Sequence, residues 1–142
     1  MTRLTLQQAN RIIEGALAKA REMKIKPLGV VVLDESGHLK SAQREDAASM
    51  FRLEIATGKA WAAVAMGASS RVLAARAKDN PNFFITLAAT AAGKFLPQTG
   101  AVLIRNANGE LLGAAGASGG TGDEDEAACK YGVEQAGFVA EV

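Results

Sequence analysis

The feature that most constrains the fold is a run of small residues at positions 113–122, which joins an apolar segment to a helix-like one. Glycine stands at positions 113, 116, 119 and 122, and no side chain between them is larger than that of threonine. Such a run permits positive φ angles and lets another backbone or a ligand approach closely. Thr121, with Glu124 three residues later, matches the capping box of a helix start. The run therefore predicts a closely packed strand leading into a helix, and part of the wall of any small-molecule site.

Helical periodicity is clear in two longer segments. Residues 5–23 carry apolar side chains at a 3.6-residue spacing, with Thr5 as the predicted N-cap. Residues 47–66 are rich in alanine and other helix formers, and Gly67 follows them. Because alanine is so frequent there, the second segment predicts a helix pressed closely against a sheet or another helix, ending at Gly67.

The middle of the chain is harder to interpret. A short helix is predicted over residues 71–78, capped by one of the two serines before it, and residues 79–82 predict a turn. Residues 83–87 are compatible with either a strand or a helix, because a short apolar run does not distinguish the two. Residues 93–100 predict an ordered loop, so the path of residues 83–100 stays open at this point.

Two hairpins and a closing helix account for most of the remaining chain. Residues 28–34 form a continuous apolar run and, after a tight turn, residues 38–44 return as its partner strand. Residues 101–105 and 110–117 flank a second turn, Asn-Ala-Asn-Gly. Strands joined by tight turns are antiparallel. A helix over residues 121–137 then closes the chain.

The predicted order of elements is α-β-β-α-α-β-β-α, with residues 83–100 unassigned. This order is typical of the α+β class, in which helices cover an antiparallel sheet. A length of 142 residues and the absence of any linker or low-complexity segment predict a single domain, residues 1–142.

Composition argues against several classes of partner. The formal net charge is +1 and no basic block occurs, so neither nucleic acid nor a membrane surface is an expected partner. No apolar run is long enough to span a bilayer, and the first residues have no signal-peptide pattern, so we expect a cytoplasmic protein. The single cysteine, Cys129, excludes an intrachain disulfide and is expected to be a small buried helix residue.

Most familiar site motifs are incomplete in this chain. The glycine run lacks the Lys and Ser/Thr of a phosphate-binding loop, and one His with one Cys does not supply a common zinc ligand set. Ser118 lacks both a nearby base and the motif of a serine-hydrolase nucleophile. Asp123, Glu124 and Asp125 suit a hard cation, but acidic residues in a first helical turn are more often surface groups that complement the helix dipole.

Three side chains are the main site candidates. His38, the only histidine, follows the first turn and is either a surface residue or, in a sharper interpretation, an axial haem ligand or a general acid or base. Lys59 interrupts an apolar helix face, and Arg44 ends a strand. A cation among small apolar residues needs a partner. That partner is a ligand anion or an internal carboxylate, Asp34 or Asp46, and the sequence leaves both alternatives open.

Five segments resemble the GlcG/HbpS-like family, in order and almost end to end: Leu4-Thr5-Leu6, the segment VLDESGHL at 32–39, REDA at 44–47, GKAWAA at 58–63, and residues 113–126. The resemblance implies a profilin-like fold and a homo-oligomer, frequently an octamer. Family members include haem-binding sensor accessories, the C-terminal domain of PduO-type adenosyltransferases and small proteins of catabolic operons. Haem or corrinoid binding is associated with some of them. His38, Arg44, Lys59 and residues 118–125 match recurrent polar positions of the family.

The resemblance favours a binding protein for haem or another tetrapyrrole. In this hypothesis His38 is the ligand of the haem iron, and Arg44 or Lys59 pairs with the propionates. The alternative is a hydrolase or isomerase-like enzyme that acts on a small anionic carboxylate. There Arg44 and Lys59 hold the anion, and His38 or Asp123 moves protons. The backbone amides that stabilise developing charge are those of Ser118, Gly119, Gly120 and Thr121.

Overall fold

The computed structural model describes residues 3–142. In chain order its elements are α1 (Leu6–Glu22), β1 (Gly29–Asp34), β2 (Leu39–Arg44), α2 (Phe51–Met66), α3 (Ser70–Asp79), α4 (Pro81–Thr90), β3 (Ala101–Arg105), β4 (Leu111–Ser118), α5 (Gly122–Gln135) and β5 (Val139–Glu141). The strands form one sheet in the order β2-β1-β4-β3-β5, and every neighbouring pair is antiparallel. The predicted α+β class is therefore confirmed.

Helices α1 and α5 lie side by side on one face of the sheet. The apolar stripe of α1 includes Ile12 and Ile13, which are fully buried against β1, β3, β4 and α5. At Gly132 of α5 an added Cβ atom would lie 2.2 Å from the carbonyl oxygen of Ile12, so the two helices touch backbone to backbone. The small residues of α5 thus make the close approach of the two helices possible.

Helix α2 covers the other face of the sheet. Its alanines at positions 56, 60 and 63 are fully buried against Val31, Leu33 and Leu103. An added Cβ at Gly116 of β4 would lie 2.5 Å from the carbonyl oxygen of Ala56, which shows how closely the helix and the strand approach. The alanine content of α2 and the glycines of β4 therefore serve the same contact, and the predicted close packing of α2 is confirmed.

A smaller apolar cluster joins α3 and α4 to the end of α2. It is built around Leu73, Phe84 and Phe95, and the rings of Phe84 and Phe95 lie 6.0 Å apart. The cluster anchors the loop of residues 93–100, which runs back across α2 toward β3. No helix in the described part of the chain is both long and apolar enough to cross a bilayer.

Several local predictions are confirmed. Thr5 and Thr121 each cap a helix through a complete capping box, and the hydroxyl of Ser69 accepts a hydrogen bond from the amide of Val72. Gly67 ends α2 with φ 64°, in the left-handed region that glycine adopts without strain. Both hairpins form, and residues 94–100 contain neither helix nor strand.

Other local predictions are wrong in instructive ways. Helix α2 begins at Phe51 rather than at residue 47, because Ala47 has φ 70° in a turn where Arg44 donates to the carbonyl of Ala48. Residues 81 and 82 belong to α4 rather than to a turn, since proline at the first helical position is favourable. Residues 83–87 are helical, so the strand alternative fails. The short strand β5 was missed, because three residues carry no readable period.

Candidate functional site

Two clefts flank helix α2, and they share Leu96 as a wall. The Lys59 cleft, about 760 Å³ in volume, is lined by Arg52, Ile55 and Lys59 of α2, by Leu96, Gln98 and Thr99, and by residues of the segment 118–125. The His38 cleft, also about 760 Å³, is lined by other residues of α2, by the first hairpin turn and by the loop near residue 94. The amide of Leu96 donates to the carbonyl of Gly58 at 3.3 Å, which ties the shared wall to α2.

The Lys59 cleft has a buried ion pair at its base. The Nζ atom of Lys59 lies 3.1 Å from Oδ2 of Asp125 and 3.0 Å from the carbonyl oxygen of Ala117. Lys59 is only 5% exposed and Asp125 only 1%. The amide of Gly120 donates to Oδ1 of Asp125 at 2.9 Å, so both carboxylate oxygens are hydrogen-bonded.

Burial raises the pKa of Asp125 above its ordinary value, and the charge of Lys59 and the amide of Gly120 oppose that rise. Desolvation is the larger cause, because a carboxylate deep in the protein loses its water. The ionised form of Asp125 is therefore favoured by these two partners rather than by solvent. Removing either partner should raise the pKa of Asp125 further.

This pair corrects two expectations from the sequence. The internal partner of Lys59 is neither Asp34 nor Asp46 but Asp125. Asp125 is not a surface group of the first turn of α5, because it lies on the buried stripe that continues through Ala128, Cys129, Gly132 and Val133. That 3.6-residue spacing was present in the sequence and would have identified Asp125 as an inward-facing carboxylate.

Gly100 makes room for the lysine. An added Cβ atom at this position would lie 2.6 Å from Nζ of Lys59 and 3.1 Å from the carbonyl oxygen of Ala117. Its φ angle of 138° also lies in the region that side chains rarely adopt. The loop thus closes over the ion pair with backbone alone.

Arg52 reaches the same cleft and was not among the sequence candidates. Its Nε donates to the hydroxyl of Ser49 and its Nη1 to the hydroxyl of Ser118, both at 3.0 Å. Among residues 3–142 no carboxylate lies within 4.0 Å of its guanidinium. Arg52 and Lys59 are seven residues apart, or two helical turns, so helical spacing was the signal that could have found it.

The amides at the start of α5 are largely used within the chain. The amide of Gly120 bonds Asp125, and the amide of Thr121 donates to Oε1 of Glu124 at 2.9 Å. Gly119 lies against Pro27 and Leu28 rather than in the cleft. Asp123 lines the outer rim and pairs with Arg71. Of the predicted site residues, the structure therefore places Lys59, Ser118, Gly120, Thr121 and Asp123 around one cleft.

Arg71 holds the outer rim of the Lys59 cleft. Its guanidinium pairs with Asp123 and, at 2.9 Å, with Glu126 one turn further along α5. The hydrogen bonds from Glu126 and Asp123 raise the pKa of Arg71 above its usual range. Asp123 therefore shares the single positive charge of Arg71 with Glu126 at the rim of the cleft.

The His38 cleft has a different character. Its walls include Trp61, Leu39, Leu53 and Leu96, and Lys94 lies at its edge. The imidazole of His38 is 82% exposed, and its Nδ1 lies 4.0 Å from Oδ1 of Asp34, beyond hydrogen-bond distance. The imidazole makes no hydrogen bond within residues 3–142.

Arg44 belongs to neither cleft. It donates to the carbonyl of Ala48 at 2.6 Å and lines a separate surface hollow beside Arg21 and Glu45. The structure thus does not bring Arg44 together with Lys59, or either of them with His38. In the enzyme hypothesis Arg44 and Lys59 hold one anion and His38 or Asp123 moves protons. The structure separates Arg44 from Lys59 and leaves only Asp123 in the Lys59 cleft.

The remaining chemistry of the described residues is limited. No group of three or more His, Cys, Asp or Glu side chains in residues 3–142 is placed to hold a metal ion. Cys129 is fully buried, as predicted, and burial raises the pKa of its thiol. A thiol with a raised pKa is a poor nucleophile, which agrees with a packing role for this residue.

Comparison with known proteins places this geometry in context. The family model described as "Haem degrading protein HbpS-like" matches residues 4–134. No curated protein matches the chain at a significant level. Among solved structures, a PduOC–haem complex is 22% identical, with a TM-score of 0.87, and the match covers 99% of this chain and 100% of that one.

Two further solved structures are similar over most of their length. A double mutant of HbpS from Streptomyces reticuli is 26% identical, with a TM-score of 0.80 and coverage of 94% of this chain and 87% of that one. The protein ORFY of Klebsiella pneumoniae is 23% identical, with a TM-score of 0.85 and coverage of 96% and 92%. Because the family model spans nearly the whole sequence, the chain belongs to the HbpS-like family.

Proposed function

We propose that this protein binds haem, or a closely related tetrapyrrole, in the His38 cleft. The observation that carries the proposal is the position of the only histidine, exposed at the rim of a cleft with apolar walls. Two comparisons support it: the family description names haem, and one solved relative is a haem complex.

The residues of the cleft fit the chemical needs of haem. The macrocycle needs an apolar slot, and the cleft supplies Leu39, Leu53, Leu96 and the indole of Trp61. The iron needs a nitrogen donor, and the imidazole of His38 is not engaged by other described residues. A propionate needs a cation, and Lys94 is the lysine of this cleft. When bound, haem supplies an iron centre whose reactivity depends on its axial ligand and its surroundings.

Lys94 therefore takes the role that the sequence analysis gave to Arg44 or Lys59. Arg44 lies in a separate hollow, and Lys59 is buried with Asp125 behind the wall formed by Leu96. Asp34 lies on the Nδ1 side of the imidazole, so we assign Nε2 of His38 as the iron ligand.

We further propose that the protein assembles as a homo-oligomer, with an octamer favoured by the family resemblance. Exposed apolar side chains support an assembly, among them Met50 and Phe51 at the start of α2 and Ile85 on α4, which are 74%, 56% and 69% exposed. Leu39, 63% exposed, extends the apolar wall of the His38 cleft to the surface. Light scattering during size-exclusion chromatography measures the assembly directly.

Titration with haemin, followed by the Soret band, tests the binding proposal. Wild type should show a saturable shift at one haem per subunit or fewer. His38→Ala should lose the shift, and free imidazole should restore it by replacing the missing ligand. Ser36→Ala is the matched control, because Ser36 lines the same cleft but has no nitrogen donor. A Soret shift that His38→Ala leaves unchanged would exclude His38 as the ligand and refute this assignment of the cleft.

A further inference from the structure

We propose that the Lys59 cleft is a second, separate ligand site, and that it binds a small organic carboxylate. The cleft lies on the opposite side of Leu96 from His38, and nothing in the haem proposal uses it. Its volume of about 760 Å³ is ample for a small metabolite.

Of the two cations that line this cleft, Arg52 is the one that pairs with no carboxylate of residues 3–142. Two serine hydroxyls, those of Ser49 and Ser118, fix its guanidinium through Nε and Nη1. Neutral partners orient a guanidinium but do not neutralise it. Nη2 makes no hydrogen bond within residues 3–142, so this end of the guanidinium is free to bind a ligand in the cleft that Arg52 lines. A pre-oriented arginine without a carboxylate partner is suited to receive one from a ligand.

Lys59 adds a second donor at the base of the cleft. Its ammonium group has three donors, and the structure uses two of them, on Ala117 and Asp125. The side chain is buried, yet it lines the cleft. A buried ion pair contributes little net stability compared with apolar residues of the same size. Its position at the base of a polar cleft is therefore better explained by ligand binding than by packing.

The acidic groups around the cleft are already engaged by other residues, which restricts the class of ligand. Asp125 is bonded to Lys59 and to the amide of Gly120, and Asp123 pairs with Arg71 outside the cleft. Arg52 is therefore the side chain of the cleft that a ligand anion would pair with, while Asp123 and Asp125 keep their negative charges nearby. A monoanionic carboxylate meets less repulsion from these two aspartates than a phosphate dianion does. Gln98 and Thr99 offer neutral hydrogen-bond partners for the rest of the ligand.

The test uses acetate, lactate, pyruvate and inorganic phosphate as probes on the intact chain. Each is titrated into ¹⁵N-labelled protein, and the amide signals of Ser118, Gly120 and Thr121 report the Lys59 cleft, while Gly37 reports the His38 cleft. We expect saturable shifts of the first three signals with at least one organic carboxylate. Arg52→Gln should weaken that binding at least roughly tenfold, as expected for loss of a charge-assisted hydrogen bond.

Arg76→Gln is the matched control, because it removes the same charge from an exposed position on α3. It should leave carboxylate binding unchanged, and Arg52→Gln should keep both a native spectrum elsewhere and wild-type haemin binding. Absence of saturable shifts with all three carboxylates would overturn the proposal. So would equal affinity in the two variants, or binding of phosphate alone.

Discussion

The two clefts beside α2 differ in chemistry although one helix builds both. Leu53, Thr57 and Trp61 of α2 face the His38 cleft, whereas Arg52, Ile55 and Lys59 face the other. The first cleft has apolar walls interrupted by Glu54 and Lys94, and its histidine is exposed at the rim. The second is polar and holds a buried ion pair at its base. Because a helix turns once every 3.6 residues, residues that are close together in the sequence of α2 face two clefts of different chemistry.

This difference predicts whether a substitution in each cleft lowers the stability of the protein or its ligand binding. In the Lys59 cleft the functional groups are also part of the core, so their removal should cost stability. In the His38 cleft the candidate ligand is exposed, so its removal should cost binding and little else.

The largest effect should come from Asp125→Asn. The variant leaves the ammonium of Lys59 buried without its counter-charge, and breaking a buried pair in this way costs about 3–5 kcal/mol. Urea denaturation measures the free energy of unfolding. Asp123→Asn is the control two residues away, and it should change stability by about 1 kcal/mol or less because Asp123 is 80% exposed. Equal losses in the two variants would contradict the contrast between base and rim.

Gly100→Ala should be the next most destabilising change. The added methyl group would overlap Nζ of Lys59 and would force alanine to adopt a φ angle of 138°, at a cost of about 2–3 kcal/mol. Gly109→Ala provides the comparison, because that glycine also has positive φ but open space around it, and about 1 kcal/mol is expected there. Thermal denaturation of both variants isolates the contribution of the contact with Lys59. Haemin binding should survive in Gly100→Ala.

Lys59→Met should make the stability depend on pH. The pKa of Asp125 is already raised by burial, and removal of the lysine charge that opposes this rise should raise it further. A carboxyl whose folded pKa lies above its unfolded pKa favours folding at low pH. This contribution is lost as pH rises from the unfolded pKa through the folded one. The loss of stability relative to wild type should therefore be small in acid and grow toward neutral pH, as followed by urea denaturation at several pH values.

A loss of stability that is large in acid and shrinks toward neutral pH would contradict this prediction. It would show that the charge of Lys59, and not the ionisation of Asp125, determines how the stability depends on pH. Lys94→Met is a suitable control, because it removes an exposed lysine from the His38 cleft instead. Its effect on stability should not change with pH in the range where carboxylates titrate.

The sequence was most informative where local chemistry decides the structure. The capping boxes at Thr5 and Thr121, the left-handed cap at Gly67 and the two hairpin turns each depend on a few adjacent residues. The fold class followed from them. Helix α4 and strand β5 were missed or left open because a short apolar run is stabilised by tertiary packing, here that of Phe84 against Phe95 and of β5 against β3.

The site was harder to predict, because it depends on which faces meet. Arg44, Lys59 and His38 are all polar residues next to apolar segments, and the sequence grouped them into one pocket. Lys59 points to one side of α2, His38 lies on the other, and Arg44 is engaged by a turn. Arg52 and Asp125 were readable from helical spacing, but Arg52 was not considered and Asp125 was interpreted as part of an acidic first turn. Periodicity applied to the charged residues, and not only to the apolar ones, would have found both.

The smallest expected effect on stability is that of His38→Ala, and it is the most informative of the set. The side chain is 82% exposed and makes no hydrogen bond within residues 3–142, so the free energy of unfolding should change by less than about 0.5 kcal/mol. The same substitution should abolish the haemin-induced Soret shift. A large loss of stability together with unchanged haemin binding would reverse the contrast between the clefts. It would make His38 a structural residue and direct the search for the haem ligand elsewhere.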